Sequence, residues 1–338
     1  MNPEERVFDP GDVIAERYEI VEELGRGSYG VVFRAIQLGI GRDVAIKTLL
    51  PHTMAGSEEH KRFEREALAV SRFNHPNIVT LYDYGEFQGV FFMVMEYVQG
   101  RPLREVIEAE APLEPQRVRS ITYQMLDALQ YAHEQGVVHR DLKPANIQLI
   151  PQSSFGSPTW EQVKVLDFGI AKFVYGEEDD GSPLDTLTQT GVAMGTPQYM
   201  SPENIIGDPV SHHTDLYSVG LLMYEMLVGE PAFAGKSPHE VMVAHIKDNP
   251  PRLPRQPHLQ PFSRAVLSAL QKQPDERVPT ARHLRELLEL DAPQPAVQQE
   301  AGGQLVASDD NRLLKPLIAV VVAAALVLIL LVLVLFYP

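Results

Sequence analysis

The spacing of apolar residues changes once along the chain, near residue 98, and this change restricts the fold more than any other feature. Before it, short strand-like runs are separated by Gly or Asn-Pro: Tyr18–Leu24, Val31–Gln37, Val44–Leu49 and Val90–Tyr97. One helical pattern interrupts them, from Ser57 to Phe73. After it, helical spacing recurs in Val118–His133, Thr214–Leu227, Pro238–Ile246, Phe262–Leu270 and Ala281–Leu290. The pattern predicts an α+β protein, in which a small antiparallel sheet with one helix precedes a larger, mainly helical lobe.

A run of 20 apolar residues, Leu317–Phe336, contains only Leu, Val, Ala, Ile and Phe. As a helix it would be about 30 Å long, which matches the hydrocarbon core of a bilayer. A buried core helix is the alternative, although such helices seldom need an apolar surface on every side. Arg312 and Lys315 precede the run, and basic residues favour the cytoplasmic side. We therefore expect a single transmembrane helix that anchors the chain by its tail, with the main body in the cytoplasm.

The segments that flank the main body are expected to be less structured. Residues 291–316 are rich in Pro, Gln, Ala, Gly and Ser, which predicts a flexible juxtamembrane linker. Residues 1–17 lack the basic and apolar stretches of a secretory signal and are expected to form an N-terminal lead. The folded body then divides into a strand-rich part, 18–97, and a helical part, 98–290.

Composition excludes several classes of function. The chain has 45 acidic and 29 basic residues, and its formal net charge of −16 argues against a nucleic-acid partner. It has no cysteine, which excludes disulfides, thiolate nucleophiles, Cys-ligated zinc and iron–sulfur clusters. What remains is a globular body of the size of an enzyme.

A glycine-rich segment follows the first predicted strand and reads Gly25-Arg26-Gly27-Ser28-Tyr29-Gly30. This spacing occurs both in dinucleotide sites and in loops that cover phosphates. In a dinucleotide fold the glycines open a helix, whereas here Val31–Arg34 continues as a strand. An ordinary glycine hairpin also stays open. The context favours a strand–loop–strand flap over phosphates.

Charged residues recur in short motifs further along the chain. Lys47 ends the strand-like segment Val44-Ala45-Ile46-Lys47, and Glu66 lies on the following predicted helix. Taken singly, each is more often a solvated surface residue. Three later segments decide the interpretation: His139-Arg140-Asp141-Leu142-Lys143-Pro144-Ala145-Asn146, Asp167-Phe168-Gly169 and Ser201-Pro202-Glu203.

With these segments the chain resembles the eukaryotic-type (Hanks-type) Ser/Thr protein kinases, and in particular their bacterial membrane-anchored members. The glycine loop, V-A-I-K, H-R-D-L-K-P-x-N, D-F-G and a near A-P-E occur in family order across residues 18–290. The resemblance implies the bilobal protein-kinase fold, with an N-lobe over 18–97 and a C-lobe over 98–290. It implies ATP with Mg²⁺, or Mn²⁺ in its place, and transfer of the γ-phosphate to Ser or Thr of proteins. It also implies a bacterial inner membrane as the location and leaves a homodimer open.

The resemblance assigns chemistry to the later motifs. Asp141 is expected to accept or orient the proton of the attacking hydroxyl, and Lys143 to face the γ-phosphate and favour Ser/Thr substrates. Asn146 and Asp167 are expected to chelate Mg²⁺. Phosphoryl transfer depends mainly on positioning and on neutralising phosphate charge, which these residue types provide.

The resemblance also implies an ATP site between the lobes. Lys47 is expected to pair the α- and β-phosphates and to be held by Glu66. The backbone of Met95–Val98 is expected to contact the adenine edge. The full set of expected ATP-binding residues is Leu24, Gly25, Arg26, Gly27, Ser28, Tyr29, Gly30, Val32, Ala45, Lys47, Met95, Glu96 and Val98.

Residues 167–203 correspond to the activation segment of the family. The segment contains three threonines in a polar loop, Thr186, Thr188 and Thr190. We hypothesise that phosphate on one or more of them pairs with Arg140 and orders the loop. A simply disordered polar loop is the alternative. Asp215 and an Arg277–Glu203 pair are expected to brace the large lobe.

Several features depart from the family pattern. Ser201 replaces the Ala of A-P-E, Gln148 occupies a commonly apolar position, and Pro151–Gln162 lengthens a hairpin. The run Glu177–Asp180 makes the activation segment unusually acidic. None of these removes a catalytic group, so we expect differences in binding rather than in chemistry.

Two other functions are compatible with parts of the sequence. A catalytically inactive kinase-like membrane scaffold is disfavoured because Lys47, Asp141, Asn146 and Asp167 are all present. A nicotinamide-dependent oxidoreductase is disfavoured because a strand, and not a helix, follows the glycines. The sequence thus predicts a tail-anchored, ATP-dependent protein Ser/Thr kinase that binds ATP, protein substrates and a membrane.

Overall fold

The computed structural model describes residues 7–27, 30–49, 67–152, 160–168, 197–235 and 237–290. These residues belong to one compact unit, Met1–Pro293. No helix within the described ranges is long and apolar enough to cross a membrane. Several predictions concern residues outside those ranges: the linker 291–316, the span Leu317–Phe336, Glu66, Ser28, Tyr29 and the threonines 186, 188 and 190.

A six-stranded antiparallel sheet forms the N-terminal lobe, in the order β1-β2-β3-β4-β6-β5. Its strands are β1 (Val13–Ile14), β2 (Tyr18–Gly27), β3 (Gly30–Gln37), β4 (Arg42–Leu49), β5 (Leu81–Phe87) and β6 (Val90–Glu96). The four predicted strands are confirmed. The sequence pattern did not predict β5, because Asp83, Gly85 and Glu86 interrupt its apolar alternation. Helical backbone over 67–71 agrees with the predicted N-lobe helix, whose earlier part lies outside the described ranges.

The strand register separates the two faces of this sheet, one of which carries the core of the lobe. Val32 lies opposite Lys47, and Lys47 lies opposite Met93, so these three share one face. The other face carries apolar side chains that form the core of the lobe, among them Val31, Phe33, Val44, Ile46 and Phe92. The alternation of β4 therefore turns Lys47 away from the core.

The N-terminal lobe begins before Tyr18, where the sequence pattern begins. β1 pairs with β2, with Val13 opposite Glu19. Phe8 is buried against Phe33 and Phe87, with ring centroids 6.2 and 6.1 Å apart. A two-residue strand and a single aromatic residue have no periodicity, so the pattern did not show them.

Helices dominate the C-terminal lobe, which also has a three-stranded sheet in the order β7-β8-β9. The strands are β7 (Arg101–Pro102), β8 (Ile147–Gln152) and β9 (Trp160–Val165). The helices are α1 (Leu103–Glu110), α2 (Pro115–Glu134), α3 (Pro202–Ile206), α4 (His212–Val228), α5 (Pro238–Lys247), α6 (Gln260–Ala269) and α7 (Ala281–Leu290). The five predicted helices are confirmed within a few residues at each end. α1 and α3 were not predicted, since they are too short for a clear helical period.

α4 lies at the centre of this lobe and is buried along most of its length. It contacts α2 and α6, and the contact with α6 is close. A Cβ at Gly220 would lie only 2.9 Å from the Cβ of Ala269, so glycine is needed for this approach. The central position of α4 places Asp215, near its N-terminus, beneath the loop that carries the candidate catalytic residues.

Ser201, which replaces the Ala of the family motif, caps α3. Its hydroxyl accepts a hydrogen bond from the backbone N–H of Asn204 at 3.3 Å, as is typical of an N-cap serine. The side chain is buried. This departure from the family pattern therefore has a local structural role.

Candidate active site

A cleft of about 280 Å³ lies between the N-terminal sheet and the β8–β9 hairpin. Its lining brings predicted ATP-binding residues together with both predicted metal ligands: Leu24, Gly25, Val32, Ala45, Met95, Glu96, Val98, Asn146 and Asp167. Tyr97, within the predicted hinge, also lines the cleft, and four further lining residues were not predicted: Val79, Ala145, Gln148 and Leu166. A mostly apolar wall with a few polar groups is typical of a small-molecule site.

The glycines of the predicted phosphate loop have different surroundings. An added Cβ at Gly25 or Gly27 would meet no atom within 4 Å, whereas at Gly30 it would lie 1.8 Å from the carbonyl oxygen of Thr48. Gly30 is therefore required by the close approach of β3 to β4. Arg26, also predicted to bind ATP, pairs with Glu23 (Nη2–Oε2 2.8 Å).

Lys47 and Asp167 form an ion pair at the inner end of the cleft, with Nζ–Oδ2 2.9 Å. Their side chains are 15% and 31% exposed, so both can still meet a ligand. Lys47 reaches this position because it lies on the same face of β4 as Ala45, which lines the cleft. The pair places one amine and one carboxylate where phosphates and a metal would lie.

The backbone of Asp167 has a left-handed conformation, with φ of 51°. This conformation is rare for a residue with a side chain and persists only where the surroundings hold it. The next residue, Phe168, is buried against Phe73 and His139, with ring centroids 5.6 and 4.7 Å apart. The Phe168 anchor thus fixes the direction of the Asp167 carboxylate.

Asp141, Lys143 and Asn146 meet in one loop beside the cleft. Lys143 Nζ lies 2.8 Å from Asp141 Oδ2. Asn146 Nδ2 donates to the backbone oxygen of Asp141 at 2.8 Å and to Oδ2 at 3.3 Å. Because the amide nitrogen of Asn146 is used in this way, its oxygen is the end left for a metal ion.

The carboxylate of Asp215 supports this loop from below. It accepts hydrogen bonds from the backbone N–H of His139 (2.8 Å) and Arg140 (2.9 Å), and His133 Nε2 lies 2.7 Å away. Burial alone would raise the pKa of Asp215, but the hydrogen bonds from the His133 ring and from the His139 backbone outweigh it and lower the pKa. A charged Asp215 therefore fixes the loop, as expected from the sequence.

His139 connects the loop to the segment after β9, which carries Asp167. Burial lowers the pKa of His139, which favours a neutral ring. Its Nε2 lies 2.8 Å from the backbone oxygen of Leu166, and a carbonyl can only accept, so Nε2 carries the proton. Nδ1 then accepts from the backbone N–H of Asp141 at 3.3 Å. One neutral histidine thus ties both acidic residues of the site together.

The predicted hinge is linked to the C-terminal lobe by a partly buried ion pair that the sequence did not indicate. Glu96 Oε2 lies 2.8 Å from Lys164 Nζ and accepts from the backbone N–H of Thr80 at 3.3 Å. Lys164 also donates to the backbone oxygen of Ile78 at 3.3 Å. The side chain of Glu96 is thereby engaged within the protein, which leaves its backbone for a ligand.

A second cavity, of about 380 Å³, shares Ala145 with the cleft and is also lined by Lys143. Its polar wall includes Arg104, Tyr199 and Glu225. Tyr199 Oη donates to Glu225 at 2.8 Å, and burial raises the pKa of Glu225. Helix α1 supplies part of this wall, so the sequence analysis missed the cavity together with the helix.

The described residues fit a magnesium ion that is bound together with a nucleotide. No group of three or more His, Cys, Asp or Glu that could hold a metal occurs in the described part of the chain. Mg²⁺ commonly binds through one or two carboxylates plus phosphate and water oxygens. Asn146 and Asp167 are held close because Leu166 N–H donates to the Asn146 carbonyl at 2.8 Å. These two oxygen donors suit Mg²⁺ that also binds phosphate.

Comparison with known proteins agrees with this geometry. Residues 18–288 match the model of the protein kinase domain. The serine/threonine-protein kinase pkn3 of Myxococcus xanthus is 41% identical over 277 residues, which cover 80% of this chain and 49% of that protein. The serine/threonine-protein kinase PknB of Mycobacterium tuberculosis is 38% identical over 278 residues, 80% of this chain and 42% of that protein. The chain thus spans less than half the length of these relatives.

Solved structures show the same fold. The crystal structure of the Mycobacterium tuberculosis PknI kinase domain has a TM-score of 0.62 and 25% sequence identity, and the alignment covers 85% of this chain and 100% of that domain. The fold predicted from the motifs is therefore confirmed for the two lobes. From the family match, the level of identity and the arrangement of the cleft, we conclude that the chain belongs to the protein kinase family, among relatives of the bacterial serine/threonine type.

Proposed function

We propose that the protein is an ATP- and Mg²⁺-dependent protein kinase that phosphorylates Ser and Thr hydroxyls. The observation that carries this proposal is that one ion pair lies at the cleft and a second lies in the loop beside it. Lys47 and Asp167 meet at 2.9 Å, and Lys143 and Asp141 meet at 2.8 Å in the adjoining loop. Both predicted metal ligands line the same cleft as the predicted hinge.

In the proposed reaction the hydroxyl oxygen of the substrate attacks the γ-phosphorus of ATP, and the bond to the β–γ bridging oxygen breaks. Asp141 accepts the hydroxyl proton, for which its carboxylate is held by the Lys143 and Asn146 contacts. Lys143 places a positive charge beside the transferred group, and Lys47 does so at the other phosphates. ADP and the phosphorylated protein leave.

Asn146 and Asp167 would hold the metal in this proposal. Bound there, Mg²⁺ neutralises negative charge on the phosphate oxygens. Lys47 keeps Asp167 oriented through their ion pair. The second cavity, beside Lys143, is the place where we propose that side chains of the protein substrate bind.

Removal of divalent metal is expected to abolish phosphoryl transfer. The full chain is incubated with γ-labelled ATP and a Ser- and Thr-rich peptide mixture, and the label on peptide is counted. Excess chelator should lower the rate at least about 100-fold, because metal neutralisation of phosphate charge contributes several kcal/mol to the transition state. Added Mg²⁺ should restore the rate, and phosphoamino-acid analysis should show phosphoserine and phosphothreonine. A rate that chelator leaves unchanged would contradict the proposal.

The proposal includes regulation through the activation segment. We propose that the chain phosphorylates itself on one or more of Thr186, Thr188 and Thr190, and that Arg140 binds the resulting phosphate. Arg140 directly precedes Asp141, and its backbone N–H is held by Asp215 at 2.9 Å. Phosphate there would therefore act on the loop that carries the proposed base. Mass spectrometry of active protein that finds all three threonines unmodified would reject this part.

We also propose that Leu317–Phe336 anchors the chain in a membrane, with the kinase lobes on the cytoplasmic side. The support is the length and apolar character of the run and the basic residues before it. Membrane fractionation tests this, since a chain ending at Leu290 should lose the association. An inactive kinase-like scaffold at the membrane is the alternative function.

A further inference from the structure

Gln148 contributes an unusual atom to the cleft. Among the described residues that line it, Gln148 is the one whose side chain has a buried polar atom, Oε1, without a hydrogen-bond partner. Such atoms are rare in folded proteins, because burial of an acceptor without a donor is unfavourable. The oxygen can therefore accept a hydrogen bond from a donor group of a ligand that enters the cleft.

The other acidic and amide side chains of the lining already have partners. Glu96 pairs with Lys164, Asp167 pairs with Lys47, and Asn146 donates to Asp141. These contacts hold the side chains in place before any ligand binds. Gln148 differs from them, because the described residues offer its oxygen no donor.

The register of β8 explains why Gln148 faces the cleft. Its neighbours Ile147 and Leu149 are buried in the core of the C-terminal lobe, so alternation turns Gln148 to the opposite face. Nearby in the lining are apolar side chains, including Ala45, Val79 and Leu166. A polar group in such surroundings distinguishes strongly between ligands that can and cannot bond to it.

We propose that Gln148 is a specificity-determining residue for the nucleotide, and that its Oε1 accepts a hydrogen bond from the exocyclic amine of adenine. This inference rests on the proposed function, in which ATP occupies the cleft. The exocyclic amine is the only hydrogen-bond donor on the adenine base of ATP, whereas hypoxanthine and guanine have an oxygen at the same position. The bond to Gln148 satisfies the buried oxygen and favours adenine.

The test compares ATP with purine riboside triphosphate, which keeps the ring system and lacks the amine. Dissociation constants of both nucleotides are measured on the full chain by calorimetry for wild type, Gln148→Leu and the control Gln152→Leu. Gln152 lies on the same strand and bonds to Gln162, outside the cleft lining. The preference for ATP should fall about fivefold in Gln148→Leu, the size expected for one hydrogen bond, and stay unchanged in Gln152→Leu.

Two further measurements keep the outcome clear. Without nucleotide, Gln148→Leu should unfold at the same or a higher temperature than wild type, since it removes a buried unpaired oxygen. A marked drop would mean that Gln148 has a structural role, which overturns the proposal. An unchanged preference for ATP over the analogue would also overturn it. A variant that changes only the preference for ATP over 2′-deoxy-ATP would overturn it too, because Gln148 would then bind the ribose. If wild type binds neither nucleotide, the proposed function itself fails.

Discussion

Replacement of Asp141 with Asn is expected to lower kcat for phosphoryl transfer about 10²- to 10⁴-fold, the usual contribution of a positioned proton acceptor. The substitution keeps the shape of the side chain, and the amide oxygen can still accept from Lys143, which lies 2.8 Å from Oδ2 in the wild type. An amide cannot take the proton of the attacking hydroxyl. The geometry should therefore survive while the chemistry is lost.

The measurement is the steady-state rate with γ-labelled ATP, together with the dissociation constant for ATP. Asp141 is absent from the cleft lining, so ATP affinity should stay within about twofold of wild type. Asp208→Asn is the matched control, because Asp208 is an exposed aspartate away from the cleft and should keep full activity. Equal rates for wild type and Asp141→Asn would indicate a contaminating kinase and favour the inactive scaffold.

The sequence allowed the cleft to be predicted because the residues that form it lie in short, ordered motifs. Each motif has a local reason for its position: Lys47 follows the alternation of β4, and Asp167 is followed by the buried Phe168. Such constraints act over a few residues and can be read from the chain. Leu24, Val32 and Val98 also line the cleft, as the family resemblance implied.

Other parts of the site depend on contacts between residues far apart in sequence. Glu96 and Lys164 are separated by 68 positions, and neither belongs to a pattern that indicates its partner. Phe8 enters the N-lobe core as a single aromatic residue. The sequence marked Gln148 only as a departure from the family pattern. Its oxygen is buried because of the side chains packed around it, and a local sequence pattern does not predict that packing.

A buried ion pair in the C-terminal lobe is expected to contribute strongly to the free energy of unfolding. Arg277 and Glu203 form a two-point contact, with Nη1–Oε1 and Nη2–Oε2 both 2.7 Å. This confirms the pairing expected from the sequence. Arg277 also donates to three backbone oxygens, those of Gln271 (2.8 Å), His213 (3.0 Å) and Lys272 (2.9 Å). All five N–H donors of the guanidinium are thus used.

Replacement of Arg277 with Met is expected to lower the free energy of unfolding by about 3–5 kcal/mol, because it leaves the Glu203 carboxylate buried without its cation. The side chains of Arg277 and Glu203 are only 0% and 4% exposed, so water cannot replace the lost contacts. The unfolding temperature should fall by about 10 °C. Lys at this position should not restore stability, since its single amine cannot make the two-point contact.

The pH dependence of this loss separates the ion pair from a simple packing defect. Burial would raise the pKa of Glu203, but in the wild type the hydrogen bonds and charge of Arg277 outweigh burial and hold it below its usual value. The wild type therefore gains stability from Glu203 above pH 4.5 and loses it as the pH falls through the lowered pKa. In Arg277→Met the hydrogen bond from Thr214 remains, but without the hydrogen bonds and charge of Arg277 burial should raise this pKa, so the variant should gain stability on acidification.

The difference in unfolding free energy between wild type and Arg277→Met should thus be smaller at pH 5 than at pH 7, as measured by denaturant unfolding at both pH values. Arg282→Met is the matched control, because Arg282 and its partner Glu134 are 65% and 52% exposed. Exposed pairs contribute little, so this control should change stability by less than about 1 kcal/mol at either pH. A loss in Arg277→Met that is the same at both pH values would show that packing, and not the charge of Glu203, accounts for it.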